Sequence, residues 1–184
     1  MLPRPFRCTP GIAVAVLATL LFVRQSSPAE EFAPVALASG SAVPLIHPPG
    51  LNAVVRIAAL EAYRRMGSDR CREIFSEFRD ASGRTLQESL DSVGRTGQSY
   101  FEWLWFVDAH AGGRCVQTDV LVFTVPGSRV ISYCGDRFTR QLSRRGLGSL
   151  AALLIHEELH SLGLGENPPS SDEITRHVES RCGS

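Results

Sequence analysis

The segment Gly146–Gly163, GLGSLAALLIHEELHSLG, decides how the rest of the chain is interpreted. It begins as an apolar run and ends in polar residues, a pattern that predicts a helix buried across the domain. Within it, His156, Glu157 and His160 form the pattern H-E-x-x-H. Residues four apart lie on one face of a helix, one turn from each other, so both imidazoles can reach a single ion. The segment therefore predicts a metal site on a buried helix.

The apolar neighbours of these residues strengthen the metal interpretation. Leu153, Leu154 and Ile155 imply that this part of the helix is buried. Buried His and Glu side chains are costly unless they are paired or bound to metal. In such a site the carboxylate of Glu157 takes a proton from the activated water and does not bind the ion. The alternative is a capped, solvated helix end without a metal.

The residues that follow extend the pattern to His156–Glu166, HEELHSLGLGE. This stretch resembles the elongated motif H-E-x-x-H-x-x-G-x-x-H of the metzincins, a group within the zincin metallopeptidases. The resemblance implies a sharp turn at Gly163 and places Glu166 where the metzincins have a third histidine. A carboxylate is an acceptable zinc ligand, so His156, His160 and Glu166 would form a site with its fourth position open, as catalytic zinc requires.

Two other residues compete with Glu166 as the third ligand. No methionine follows the motif, so the methionine turn of the metzincins is absent, and a gluzincin-like arrangement is the alternative. That arrangement takes the ligand from the next predicted helix, where Glu173 is the rival; Asp172, as in the aspzincins, is a third choice. Glu173 also has a structural interpretation, since Ser170 and Glu173 have the spacing of a capping box.

Amphipathic patterns predict helices at the start of the domain. Apolar residues at helical spacing begin at Leu51 and stop at Gly67, and Ser68 is placed to cap a second helix through Phe78. A third short helix is expected over 85–93.

Strands are expected in the middle of the domain. The aromatic run Tyr100–Val107 predicts a buried strand, with its two tryptophans in the core. Segments 116–124 and 129–133 predict two strands around a turn at Pro126 and Gly127.

These elements predict an α+β domain with N-terminal helices, a small mixed or antiparallel sheet and a buried active-site helix. The resemblance implies a zincin-like arrangement in which an edge strand, supplied by the segment before that helix, pairs with an extended substrate. Tyr133, near the end of this segment, is a candidate donor for the oxyanion of the tetrahedral intermediate.

The N-terminal part of the chain is predicted to direct export. Arg4 and Arg7 precede a short apolar run and then small residues, which is typical of a secretory signal peptide over 1–29. An uncleaved membrane anchor is the alternative. Residues 30–50 are rich in Pro and Ala and predict a linker. The folded domain is expected over 51–184.

The cysteines predict disulfides. Cys8 leaves with the signal, so an even number of cysteines remains in a chain expected to be exported. Four cysteines allow three pairings. Their positions favour Cys115 with Cys134, which flank a hairpin-like segment, and Cys71 with Cys182, near the ends of the domain.

The composition is that of an ordinary globular protein, with 184 residues, 43% hydrophobic residues and no net formal charge. A balanced charge argues against nucleic-acid binding. All basic residues are Arg, so no lysine nucleophile is available.

The sequence thus predicts a monomeric, secreted or periplasmic zinc metallopeptidase that cleaves a peptide or protein substrate with metal-activated water and Glu157 as general base. The alternatives are a catalytically silent zincin-fold binding or scaffold domain with structural metal, and an exported domain without metal.

Overall fold

The computed structural model describes residues 51–110 and 113–183. The predicted signal peptide and linker lie outside the described residues. The helices and strands follow in this order: α1 (Ala53–Met66), α2 (Asp69–Arg72), α3 (Ile74–Glu77), α4 (Leu86–Ser92), α5 (Gly97–Phe101), β1 (Trp105–Asp108), a 3₁₀ turn (Gly113–Val116), β2 (Val122–Thr124), β3 (Val130–Tyr133), α6 (Gly135–Ser161) and α7 (Ser171–Cys182). The predicted α+β class is confirmed.

The N-terminal helices agree with the sequence pattern except at one break. Asn52 caps α1, and the side chain of Thr85 forms a capping box with Glu88 at the start of α4. The single helix expected from Ser68 is instead divided into α2 and α3. The backbone N–H of Ser76 bonds to the carbonyl of Glu73, 2.9 Å away, and this three-residue step tightens the chain between the two short helices.

The sheet is small and mixed. Its strand order is β1-β3-β2, with β1 parallel and β2 antiparallel to β3. The two strands of the predicted hairpin are shorter than expected, and Gly127, with φ 79°, occupies the turn between them. Among the described residues β2 has a neighbouring strand on one side only, so it is an edge strand, as expected.

The aromatic run does not form a buried strand, and that prediction was wrong. Its first residues belong to α5, and β1 begins only at Trp105. Trp105 is 60% exposed and Trp103 38% exposed, with the guanidinium of Arg95 lying 3.3 Å from the centre of the Trp103 ring. Because side chains alternate across a strand, the burial of Phe106 turns Trp105 to the opposite face of the sheet.

The long helix α6 carries the H-E-x-x-H residues through the core. It starts earlier than expected, and Gly146, with φ 77° and ψ 168°, interrupts it where the predicted helix begins. Beyond the break, Leu150, Leu154 and Ile155 are fully buried. α6 packs against α1, α7 and the edge strand β2, which places the polar end of the helix beside the sheet.

Two cysteine pairs lie at disulfide distance, with the predicted pairing. The Cα atoms of Cys71 and Cys182 are 4.6 Å apart and join α2 to α7. Those of Cys115 and Cys134 are 5.5 Å apart and join the 3₁₀ turn to the residue before α6. These pairs are compatible with an extracytoplasmic protein. In the part of the chain that the structure describes, no helix has both the length and the hydropathy of a membrane span.

Candidate metal centre

The two histidines of the motif converge as their spacing predicts. His156 and His160 lie one turn apart on α6 and are 2% and 5% exposed. Their Nε2 atoms are 2.9 Å apart. Burial lowers the pKa of His156 to about 3, and the neighbouring His160 adds to that shift. The imidazole of His156 is therefore neutral at physiological pH, the form that binds a metal ion.

A glycine turn brings a carboxylate to this pair. Gly163 has φ 106°, and the backbone N–H of Leu164 bonds to the carbonyl of Leu159 at 3.1 Å, which ends α6 in the manner of a Schellman turn. The chain then returns so that Glu166 Oε1 lies 3.2 Å from His160 Nε2 and 3.9 Å from His156 Nε2. The turn expected from the sequence is confirmed.

The three side chains fit a metal ion. One ligand atom from each of His156, His160 and Glu166 lies within 4.8 Å of the others. A zinc ion binds nitrogen and oxygen at about 2.0–2.1 Å, so its tetrahedral ligands lie about 3.4 Å from one another. The separations of 2.9, 3.2 and 3.9 Å lie on both sides of this value. This group can hold a metal ion.

The second nitrogen of each imidazole has its own partner. His160 Nδ1 lies 2.8 Å from the carbonyl oxygen of Leu164. A carbonyl only accepts, so Nδ1 carries the proton and Nε2 of the neutral ring presents its lone pair to the site. His156 Nδ1 lies 2.9 Å from the hydroxyl of Thr175 on α7. Both contacts hold the ring orientations that metal binding requires.

Thr175 is a site residue that sequence reasoning missed. The pattern indicated only that α7 begins with Ser170 and carries acidic residues in its first turn. A threonine in the second turn of an amphipathic helix has no local signal that distinguishes it from an ordinary surface residue. Its role depends on α7 packing against α6, which is a tertiary contact.

Glu157 lies beside the histidines and faces the same cavity. It is 6% exposed, and its Oε2 atom has no hydrogen-bond partner among the described residues. Burial raises the pKa of Glu157 to about 8; the nearby Thr124 hydroxyl and the positive charge of Arg114 oppose this shift, and the negative charge of Glu166 adds to it. A buried carboxyl group with an unpartnered oxygen at a cavity is suited to exchange a proton with a bound molecule.

Glu158, the next residue, is fully buried and does not line this cavity. Neither of its carboxyl oxygens has a hydrogen-bond partner within the described ranges. Burial raises its pKa well above the ordinary value, so the low-polarity surroundings favour the neutral, protonated form of this group. The pattern H-E-x-x-H did not indicate this, because a glutamate in its first variable position has no assigned role.

The other candidate residues do not join the metal-binding group. The carboxylate of Glu173 accepts hydrogen bonds from the backbone N–H and the hydroxyl of Ser170, at 2.8 and 2.7 Å, so the predicted capping box is confirmed. Asp172 lines the cavity but does not belong to the three-ligand cluster. Tyr133 is 3% exposed and packs near Phe138 in the core. It does not line the cavity, so the expectation that it donates to an oxyanion was wrong, because β3 turns its side chain inward.

The cavity beside the metal-binding group has a volume of about 570 Å³. One wall is the edge strand β2 and the segment before it, and another is the first part of α7. Its charged residues, apart from the H-E-x-x-H motif and Glu166, are Arg114, Asp119, Arg145 and Asp172. The cavity is large enough to admit several residues of an extended peptide.

No protein-family model, curated protein or solved structure matches this chain.

Proposed function

We propose that the chain is a zinc-dependent metallopeptidase of zincin-like type that acts outside the cytoplasm. The observation that carries this proposal is the convergence of His156 Nε2, His160 Nε2 and Glu166 Oε1 beside Glu157, whose Oε2 atom has no hydrogen-bond partner in the described ranges. Two imidazoles and a carboxylate form a donor set that suits zinc. The cysteine pairs support an extracytoplasmic location.

The openness of the site favours catalysis over a structural metal. Structural zinc sites are closed by four protein ligands, whereas catalytic sites have three and leave one position for water or substrate. The cluster among the described residues has three members, and the side chain of Glu166 is 40% exposed. The adjoining cavity of about 570 Å³ supplies the space for a substrate.

A zinc ion held by His156, His160 and Glu166 would supply Lewis acidity, which polarises a scissile carbonyl and lowers the pKa of water toward neutral pH. Glu157 accepts the proton of that water and delivers it to the leaving amine. His156 and His160 are held in position by Thr175 and by the carbonyl of Leu164. The edge strand β2 offers its backbone to an extended peptide, which gives affinity without strong dependence on sequence.

Metal analysis combined with digestion of a peptide mixture tests the proposal. The purified chain, with its disulfides intact, is expected to contain one zinc ion and to cleave peptides. A chelator is expected to abolish cleavage, and added zinc to restore it. Stoichiometric zinc binding without cleavage of any peptide would contradict the peptidase activity and would support a scaffold domain with a structural metal ion. Absence of bound metal would contradict both.

A further inference from the structure

Arg114 in the 3₁₀ turn lies where it can contact a side chain of a bound peptide. Arg114 is exposed, lines the cavity, and has its guanidinium carbon 5.7 Å from the centre of the Phe123 ring on β2. Its guanidinium has no carboxylate partner in residues 51–110 and 113–183. A guanidinium with free donors at a cavity wall is suited to bind a carboxylate in a bidentate manner.

The segment that carries Arg114 is fixed in place. Cys115, the next residue, pairs with Cys134 at the start of α6. The guanidinium of Arg137 on α6 donates to the carbonyls of Cys115 and Val120, at 2.8 and 2.7 Å, and also to that of Gln117. These contacts fasten the segment 115–120 of the cavity wall to α6. Arg114 therefore projects from a rigid support, which reduces the entropy lost when it binds a partner.

The sheet register indicates which substrate side chain Arg114 would meet. Val122 and Thr124 are buried toward α6, whereas Phe123 between them points to the other face. A peptide paired with the free edge of β2 has a residue opposite Phe123 whose side chain lies on the same face as that ring. Since Arg114 lies over Phe123, it lies near this substrate residue.

Arg114 is the charged wall residue that lies over a side chain of β2, where an extended peptide would pair. Arg145 lies directly before the break in α6 at Gly146, on the other side of that break from His156. Asp172 lies in the first turn of α7, where the helix dipole offsets part of its negative charge.

We propose that the cavity selects peptides with an acidic side chain close to the scissile bond, and that Arg114 binds this carboxylate. The inference rests on the proposed peptidase function and names its substrate class. A basic side chain bound by Asp119 or Asp172 is the competing outcome.

Cleavage specificity gives the first test. A peptide mixture is digested with the zinc-loaded protein, and mass spectrometry reads the residues around each cleaved bond. The wild type is expected to enrich Asp and Glu at one position, Arg114→Gln to lose that enrichment, and Arg114→Glu to replace it with Lys and Arg. The matched control is Arg144→Gln, because Arg144 is an exposed arginine of α6 that does not line the cavity. Loss of folding cannot produce a reversed preference.

Equilibrium binding gives the second test and does not require turnover. The zinc-loaded Glu157→Gln variant is titrated with blocked octapeptides of alternating Ala-Glu, Ala-Gln or Ala-Lys, which place every second side chain on one face of a strand. The Ala-Glu peptide is expected to bind about 10-fold more tightly than Ala-Gln, and Arg114→Gln to remove the difference.

The two tests separate the inference from the function on which it rests. Cleavage without any acidic preference, or an acidic preference that survives Arg114→Glu, overturns the inference and leaves the peptidase intact. Arg114-dependent binding of the Ala-Glu peptide without cleavage of any peptide supports acidic recognition and contradicts the peptidase. Tighter binding of Ala-Lys than of Ala-Glu overturns the inference and indicates that Asp119 or Asp172 binds a basic side chain.

Discussion

The backbone N–H of Gly127 donates a hydrogen bond to the carbonyl of His160, 2.9 Å away. Gly127 lies in the turn between β2 and β3, and His160 is a candidate metal ligand on α6, so this bond fixes the edge strand relative to the metal centre. The same carbonyl accepts a second bond, also 2.9 Å, from the N–H of Gly163. One carbonyl thus joins the turn that follows β2, the helix α6 and the turn that returns Glu166.

Gly163→Ala tests whether this turn positions Glu166. An alanine at φ 106° is strained, and its Cβ would lie 3.2 Å from Cβ of Asp80, so we expect a loss of about 1–2 kcal/mol in unfolding free energy and weaker zinc binding. Gly165→Ala is the matched control, because a Cβ there meets nothing within 4 Å. Thermal unfolding and zinc titration measure both effects. Equal zinc affinity in the two variants would show that the turn does not position the ligand.

Glu157→Gln separates metal binding from turnover. The substitution preserves size and removes the base, so zinc should remain bound while turnover falls by roughly 10²–10⁴. Zinc content and peptide cleavage are measured on the same preparation. Cleavage at the wild-type rate would refute the role assigned to Glu157.

Glu166→Ala and Glu173→Ala distinguish the ligand from the helix cap. Glu166→Ala should weaken zinc affinity strongly, because one of the three ligands is lost. Glu173→Ala should retain zinc and lower the unfolding free energy by about 1 kcal/mol, because the capping box with Ser170 is lost. Zinc titration and thermal unfolding are compared with the disulfides intact. The reverse pattern would identify Glu173 as the ligand.

Thr175→Val tests the contact that orients His156. Valine has nearly the shape of threonine but cannot hydrogen-bond to Nδ1, so zinc affinity should fall by about 10-fold or more. Thr175→Ser, which retains the hydroxyl, should bind zinc nearly as the wild type does. If valine and serine weaken binding equally, packing rather than the hydrogen bond is responsible.

Acid stability should depend on Glu61 in α1. Hydrogen bonds from Arg64, at 2.7 Å, and Arg65, at 2.8 Å, lower its pKa from 4.5 to about 2 against an opposing effect of burial. A carboxyl group whose pKa is lower in the folded state stabilises the fold above the unfolded value. That stabilisation is lost as the pH falls from about 4.5 to about 2.

The measurement is denaturant unfolding between pH 5 and pH 2. Glu61→Gln should be less stable than the wild type at pH 5, and the difference should shrink toward pH 2. Glu179→Gln is the control, since Glu179 is exposed on α7 and forms no ion pair within the described part of the chain. A pH-independent difference for Glu61→Gln would rule out the ion-pair explanation.

The sequence by itself determined the features that depend on local spacing. The i, i+4 step of His156 and His160 follows from helix geometry, the left-handed turn at Gly163 from the absence of a Cβ, and the capping box of Ser170 and Glu173 from their three-residue separation. Each of these depends on residues a few positions apart, so the periodicity of the chain is sufficient to predict it.

Tertiary structure decided the features that depend on residues distant in sequence. Thr175 reaches His156 only because α7 packs on α6, and Arg114 reaches the cavity because Arg137 and a cysteine pair hold its segment there. Trp105 is exposed and Tyr133 buried because their side chains lie on opposite faces of the sheet, since Trp105 pairs with Val130, three residues before Tyr133. The element packed against a short strand determines which face of that strand is buried. The residues of the strand alone do not specify that element.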